Sequence, residues 1–80
     1  MKITVLGFGI AKEIFGSSEI HIDVNDGLNV SGLRVLLEGR FPQLTKLKSY
    51  MVAIDEEYAE DSQIINSGNE IAVIPPVSGG

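Results

Sequence analysis

The residues best placed to do chemistry close the sequence: Ile71-Ala72-Val73-Ile74-Pro75-Pro76-Val77-Ser78-Gly79-Gly80. With Gly80 as the chain end, an α-carboxylate with a pKa of about 3.3–3.7 is ionised at neutral pH and can attack an activated phosphate. Gly79 and Gly80 carry no side chain, so they can enter a slot that any Cβ would block and can adopt unusual φ/ψ inside it. Pro75 and Pro76 have no backbone N–H and cannot extend a sheet ladder, and Pro75 pushes Ile74 towards extended backbone. The tail is therefore expected to leave the body stiffly, as polyproline-like or extended chain. A Gly-Gly end alone reads as a frayed terminus. Its junction to an apolar strand through Pro-Pro favours a reactive acyl group held on an arm.

No other constellation offers comparable chemistry. The chain has no cysteine, which removes disulfides, a thiolate nucleophile and a Cys-based metal site, so any sulfur must be brought from outside. His21 is the only histidine and has no second ligand at metal spacing. Asp55, Glu56, Glu57, Glu60 and Asp61 cluster without matching an EF-hand loop, and read as a solvated turn. Gly7-Phe8-Gly9 lacks the third glycine of a dinucleotide fingerprint and precedes no βαβ unit. No cofactor is expected to be bound by this chain.

A net charge of −5, with no basic cluster, opposes nucleic-acid binding and attraction to anionic membranes. The longest apolar runs fall far short of the roughly 20 residues of a membrane span. Met1-Lys2 enters a strand pattern without a signal-peptide core, so a cytoplasmic location is the default.

Eighty residues make one domain with a modest core. The body is expected to occupy residues 1–76, with 77–80 a flexible tail. Lys2 to Phe8 reads as a strand with Ile3, Val5 and Gly7 on one face, and Thr4, Leu6 and Phe8 on the other. Ile10, Ala11, Ile14 and Phe15 form one face of a short helix stopped by Gly16. Glu19 to Val24 alternates as a half-buried strand, the antiparallel neighbour of the first. Asn29 is the N-cap of a helix from Val30 to about Arg40, with Val30, Leu33, Leu36, Leu37 and Phe41 inward and Pro42 ending it. Gln43 to Ser49 is a connector, open to a 3₁₀ turn with Leu44 and Leu47 tucked under. Met51 to Ile54 is a third strand, Asp55-Glu56-Glu57 a turn, and Tyr58-Ala59 a small fourth strand. Ser62 to Ile65 reads as a short helical or 3₁₀ piece with Ile64 or Ile65 buried, and Glu70 to Ile74 as the last strand.

The first and last strands are apolar on both faces, so they are expected side by side and parallel in the middle of the sheet. The fold class is α+β: a mixed sheet of four to five strands packed on one main helix, the ubiquitin-like β-grasp. If Ile3, Val5, Ile71 and Val73 face the helix, Leu6, Phe8, Ala72 and Ile74 face out beside the root of the tail, with Tyr58 able to join them. Such an exposed apolar patch suits a partner interface. Lys12 and Arg34 can supply rim charges, although a solvated face accounts for both.

Residues 3–16, Leu33-Arg34-Val35-Leu36-Leu37 and above all Glu70 to Gly80 resemble the small, sulfur-carrying subunits of molybdopterin synthase. Asp55 stands where that family usually has asparagine in a short hairpin. The resemblance implies that an activating enzyme similar to ubiquitin's E1 adenylates Gly80 with ATP. Sulfur from a persulfide donor then displaces AMP, leaving a thiocarboxylate on Gly80 next to Gly79. The tail would deliver sulfur to cyclic pyranopterin monophosphate in the large subunit of molybdopterin synthase, in a heterotetramer. Phe8, Lys12, Tyr58, Ile74, Pro75, Pro76, Val77 and Ser78 are the expected partner-binding residues. The same tail chemistry would serve a carrier for thiamine or tRNA thiolation, or a ubiquitin-like protein modifier. A β-grasp docking module using only the apolar patch is the alternative different in kind.

Overall fold

The computed structural model describes residues 1–47 and 49–76. Strand β1 (Lys2–Gly7) is followed by α1 (Ile10–Phe15), β2 (Glu19–Asp23) and α2 (Val30–Arg40). A 3₁₀ turn (Pro42–Lys46) leads to β3 (Met51–Ile54), β4 (Glu57–Tyr58) and β5 (Glu70–Ile74). One five-stranded sheet runs in the order β2-β1-β5-β3-β4. The central pair β1 and β5 is parallel and every other pair antiparallel, as the two-faced apolar pattern of those strands implied.

Parity does the rest. Ile3, Val5, Ile71 and Val73 are buried in one core with Val30, Leu33 and Leu37 of α2 and Leu44 of the 3₁₀ turn. The first N–H groups of α2 need partners from outside the helix. Asn29 caps Gly32 N–H through Oδ1 at 2.8 Å, while Val30 and Ser31 donate to the carbonyls of Gln63 and Asp61 at 3.0 and 2.9 Å. The segment after β4 therefore crosses the start of α2 as extended chain. Asn29 and Ile64 form an isolated antiparallel bridge, and Ile65 N–H donates to Leu28 O at 2.8 Å. This corrects the expectation of a helical piece at Ser62 to Ile65. Ile65 is buried and Ile64 exposed.

Other expectations shift at the margins. β1 stops at Gly7, one residue before Phe8. Leu36 is 45% exposed and lies outside the inward stripe. At 3.6 residues per turn it sits about 90° from the centre of the Val30-Leu33-Leu37 face. Ile10 is also exposed, leaving Ala11 and Phe15 as the buried residues of α1. The rings of Phe15 and Phe41 meet at a tilt of 49° with centroids 4.9 Å apart, and Phe41 packs against the core as expected. The β3–β4 turn is Asp55-Glu56 alone, since Ile54 pairs with Glu57 and Ala53 with Tyr58. Both turn residues have positive φ, 51° and 72°.

Candidate functional site

The ladders place four outward-facing side chains in one row across four strands. Leu6 pairs with Ala72, Ala72 with Ala53, and Ala53 with Tyr58. Ile74 pairs with Met51 in the next row, beside Phe8. The two alanines are nearly covered, whereas Phe8 is 51% and Tyr58 68% exposed. Small residues in the middle and aromatics at the sides make a trough of about 350 Å³ lined by Phe8, Ala53, Glu56, Tyr58, Glu70, Ala72 and Ile74. The structure thus brings together Phe8, Tyr58 and Ile74, three of the residues expected to bind a partner. Met51, Ala53, Glu56 and Glu70 were missed. The parity of Met51 and Ala53 points outward as soon as β3 is known to lie beside β5.

Phe8 also lines a second hollow of about 570 Å³ with Leu6, Gly7, Gly9, Lys12, Ser18 and Glu19. Lys12 is exposed there on α1. The charges beside the trough are acidic, Glu56 and Glu70, so a partner that covers it must bring cations or leave the rim solvated. Pro75 and Pro76 follow directly from β5, Pro75 half-buried and Pro76 exposed. Val77, Ser78, Gly79 and Gly80 lie outside the described residues.

Arg34 belongs to a different surface. Its guanidinium lies 4.5 Å over the Tyr50 ring and donates to Tyr50 O at 3.1 Å, and its Nε is 3.2 Å from Asp61 Oδ1. The Tyr50 hydroxyl donates to Glu38 Oε2 at 2.5 Å. Burial, reinforced by the Glu38 carboxylate, pushes this phenol up to about 12. The cluster ties α2 to the chain entering β3, and Arg34 is no rim charge of the trough.

No group of three or more His, Asp or Glu side chains among the described residues is placed to hold a metal ion. His21 is exposed on β2 and shares a 3.0 Å hydrogen bond with Thr4 Oγ1, a cross-strand surface pair. No helix among the described residues is long and apolar enough to cross a membrane. What the surface offers is an apolar trough beside the point where Pro75 follows β5.

A mixed five-stranded sheet grasping one main helix defines this chain as a ubiquitin-like β-grasp protein. The SAMP1 structure from Haloferax volcanii superposes with a TM-score of 0.84 at 25% identity, covering 100% of both chains. A complex of subunits 1 and 2 of molybdopterin-converting factor from Helicobacter pylori contains a chain that matches at a TM-score of 0.71 and 22% identity, again over 100% of both. The chain belongs to the ThiS family, whose model matches residues 5–80. Molybdopterin synthase sulfur carrier subunits are similar along its whole length. The protein from Caenorhabditis elegans is 39% identical, covering 100% of this chain and 99% of its own. The protein from Arabidopsis thaliana is 36% identical, covering 100% and 84%.

Proposed function

We propose that this chain is the sulfur carrier of molybdopterin synthase, with the Gly80 carboxylate as its working group. An E1-like enzyme that binds ATP adenylates the carboxylate and releases pyrophosphate, converting an inert anion into an acyl group with a good leaving group. A persulfide donor attacks that acyl carbon and expels AMP. Reductive cleavage of the S–S bond by a thiol then leaves the thiocarboxylate. The large subunit docks on the trough, receives the tail and passes sulfur to cyclic pyranopterin monophosphate. In this reading the partners supply the catalytic groups for each transfer, and this chain supplies the acyl end.

The observation that carries this reading is the apolar trough of Phe8, Tyr58 and Ile74 at the point where Pro75-Pro76 leaves the central strand. Family membership and the names of the full-length relatives support the same reading. Incubation with the activating enzyme, ATP and a sulfur donor is expected to exchange one oxygen of the chain for sulfur, read as intact mass. Full sulfur transfer from a chain extended by one residue beyond Gly80 overturns the proposal.

The likeness to SAMP1, named a small archaeal modifier protein in a second structure, favours one further reading, conjugation of Gly80 to lysines of other proteins. Lysine-linked adducts of this chain in a native lysate are its test. Carriage for thiamine or tRNA thiolation would show instead as transfer to a partner other than the large subunit.

A further inference from the structure

Where β5 ends, the outgoing Pro75 passes a residue far back in the sequence. Gly7 pairs with Val73 in parallel register, and Phe8 N–H donates to Val73 O at 3.3 Å. The two chains then run on together, so that Gly9 lies against Pro75. Pro75 has no N–H with which to continue the ladder. A methyl group on Gly9 would lie 3.3 Å from Pro75 Cγ. Gly9 adopts φ 55° and ψ −129°, a combination open to glycine and hostile to L side chains. The chain also turns into α1 at this residue, with Ala11 N–H donating to Phe8 O at 3.0 Å and Lys12 N–H to Gly9 O at 3.1 Å. One residue thus starts a helix and gives the Pro75 ring a bare backbone to lean on.

We propose that Gly9 is a positioning residue for the reactive tail. Its missing side chain lets the Pro75 ring seat on the body, and two consecutive prolines, each with φ held near about −65°, carry that direction outward. The functional consequence rests on the sulfur-carrier reading: an aimed tail enters a partner's slot with less ordering than a swivelling one. Misplacing a reacting group by about 1 Å slows chemistry on the order of 10²-fold.

The experiment uses the full chain and two variants, Pro75→Ala and Gly9→Ala, with two readouts. The first is independent of sulfur: the Cα–Hα residual dipolar coupling of Pro76 is expected to fit the alignment of the body in the parent chain and to depart from it in both variants. The second is single-turnover sulfur transfer from preloaded thiocarboxylate to the large subunit. Pro75→Ala is expected to slow transfer at least tenfold at saturating large subunit, where a change in affinity does not enter the rate. The double variant is expected to be no slower than Pro75→Ala alone, because the contact is already gone. Should Gly9→Ala fail to fold, Pro75→Ala decides alone. A Pro76 coupling unchanged by Pro75→Ala, or transfer within twofold of the parent, overturns the proposal. A parent chain that never accepts sulfur sinks the carrier reading, and the Pro76 coupling still decides the positioning.

Discussion

Asp55 and Glu70 are joined by two reciprocal hydrogen bonds. Asp55 N–H donates to Glu70 O at 2.8 Å, and Glu70 N–H donates to Asp55 Oδ1 at 2.8 Å. Asp55 Oδ2 also accepts from Asn69 Nδ2 at 2.8 Å. One side chain in the β3–β4 turn therefore clamps the start of β5. Asp55→Ala should lower stability by about 1–2 kcal/mol, since two bonds to a charged acceptor are lost at an exposed site. Asp55→Asn should cost about half as much, because asparagine keeps one acceptor and tolerates positive φ. Urea midpoints of the three chains measure both.

Glu56, next in the turn, has φ 72° without a side chain suited to it. Two-residue hairpin turns with positive φ at both positions favour glycine second. Glu56→Gly relieves a left-handed strain of about 1–2 kcal/mol and concedes part of that to the freer unfolded chain. A net gain of about 0.5–1 kcal/mol is expected, seen as a melting temperature higher by about 2–8 °C.

Gly7 is needed for space. A Cβ there would stand 2.7 Å from Phe15 Cδ2 and 3.1 Å from the Lys12 Cα. Gly7→Ala must push α1 off the sheet, at an expected cost of about 1–3 kcal/mol. A thermal melt unchanged from the parent would refute this packing.

Tyr50 gives the fold a weakness to alkali. Its phenol is pushed from 10.0 up to about 12 by burial first and the Glu38 carboxylate second. The folded state holds the phenolic proton more tightly than the unfolded chain. The stabilisation is therefore complete below about pH 10 and is lost as pH rises from about 10 to 12. Denaturant midpoints of the parent should fall over that window relative to those of Tyr50→Phe. At pH 7 the same variant should be less stable by about 1 kcal/mol, having left Glu38 without its donor.

Phe8 and Tyr58 are exposed enough for substitution to spare the fold. Phe8→Glu and Tyr58→Glu should weaken binding of the large subunit at least about 30-fold, the loss typical of an aromatic anchor worth about 2 kcal/mol. Melting temperatures should stay within a few degrees of the parent. Calorimetric titration with the large subunit reads the first and thermal melts the second.

Much of this architecture was legible because strands alternate strictly. Ile3, Val5, Ile71 and Val73 could be placed on the core face, and Leu6, Ala72 and Ile74 opposite, before any register was known. Asn29 was readable as a cap because its chemistry is local. What escaped depended on tertiary partners. The segment 62–65 carries weak periodicity of its own, and its extended path follows from unpaired N–H groups at the start of α2, over thirty positions earlier. Leu36 looked inward on a hydrophobic count and lies on the flank because the core face is centred on Val30, Leu33 and Leu37. Gly9 read as a fragment of an unmatched motif, and only its contact with Pro75 gives it a role.

β5 is the last of the five strands to be synthesised, yet it lies at the middle of the sheet. A nascent fragment that stops before residue 70 has β1 and β3 with nothing between them, so neither the core nor the trough can close until β5 is made. The strand that completes the sheet is thus the one made last.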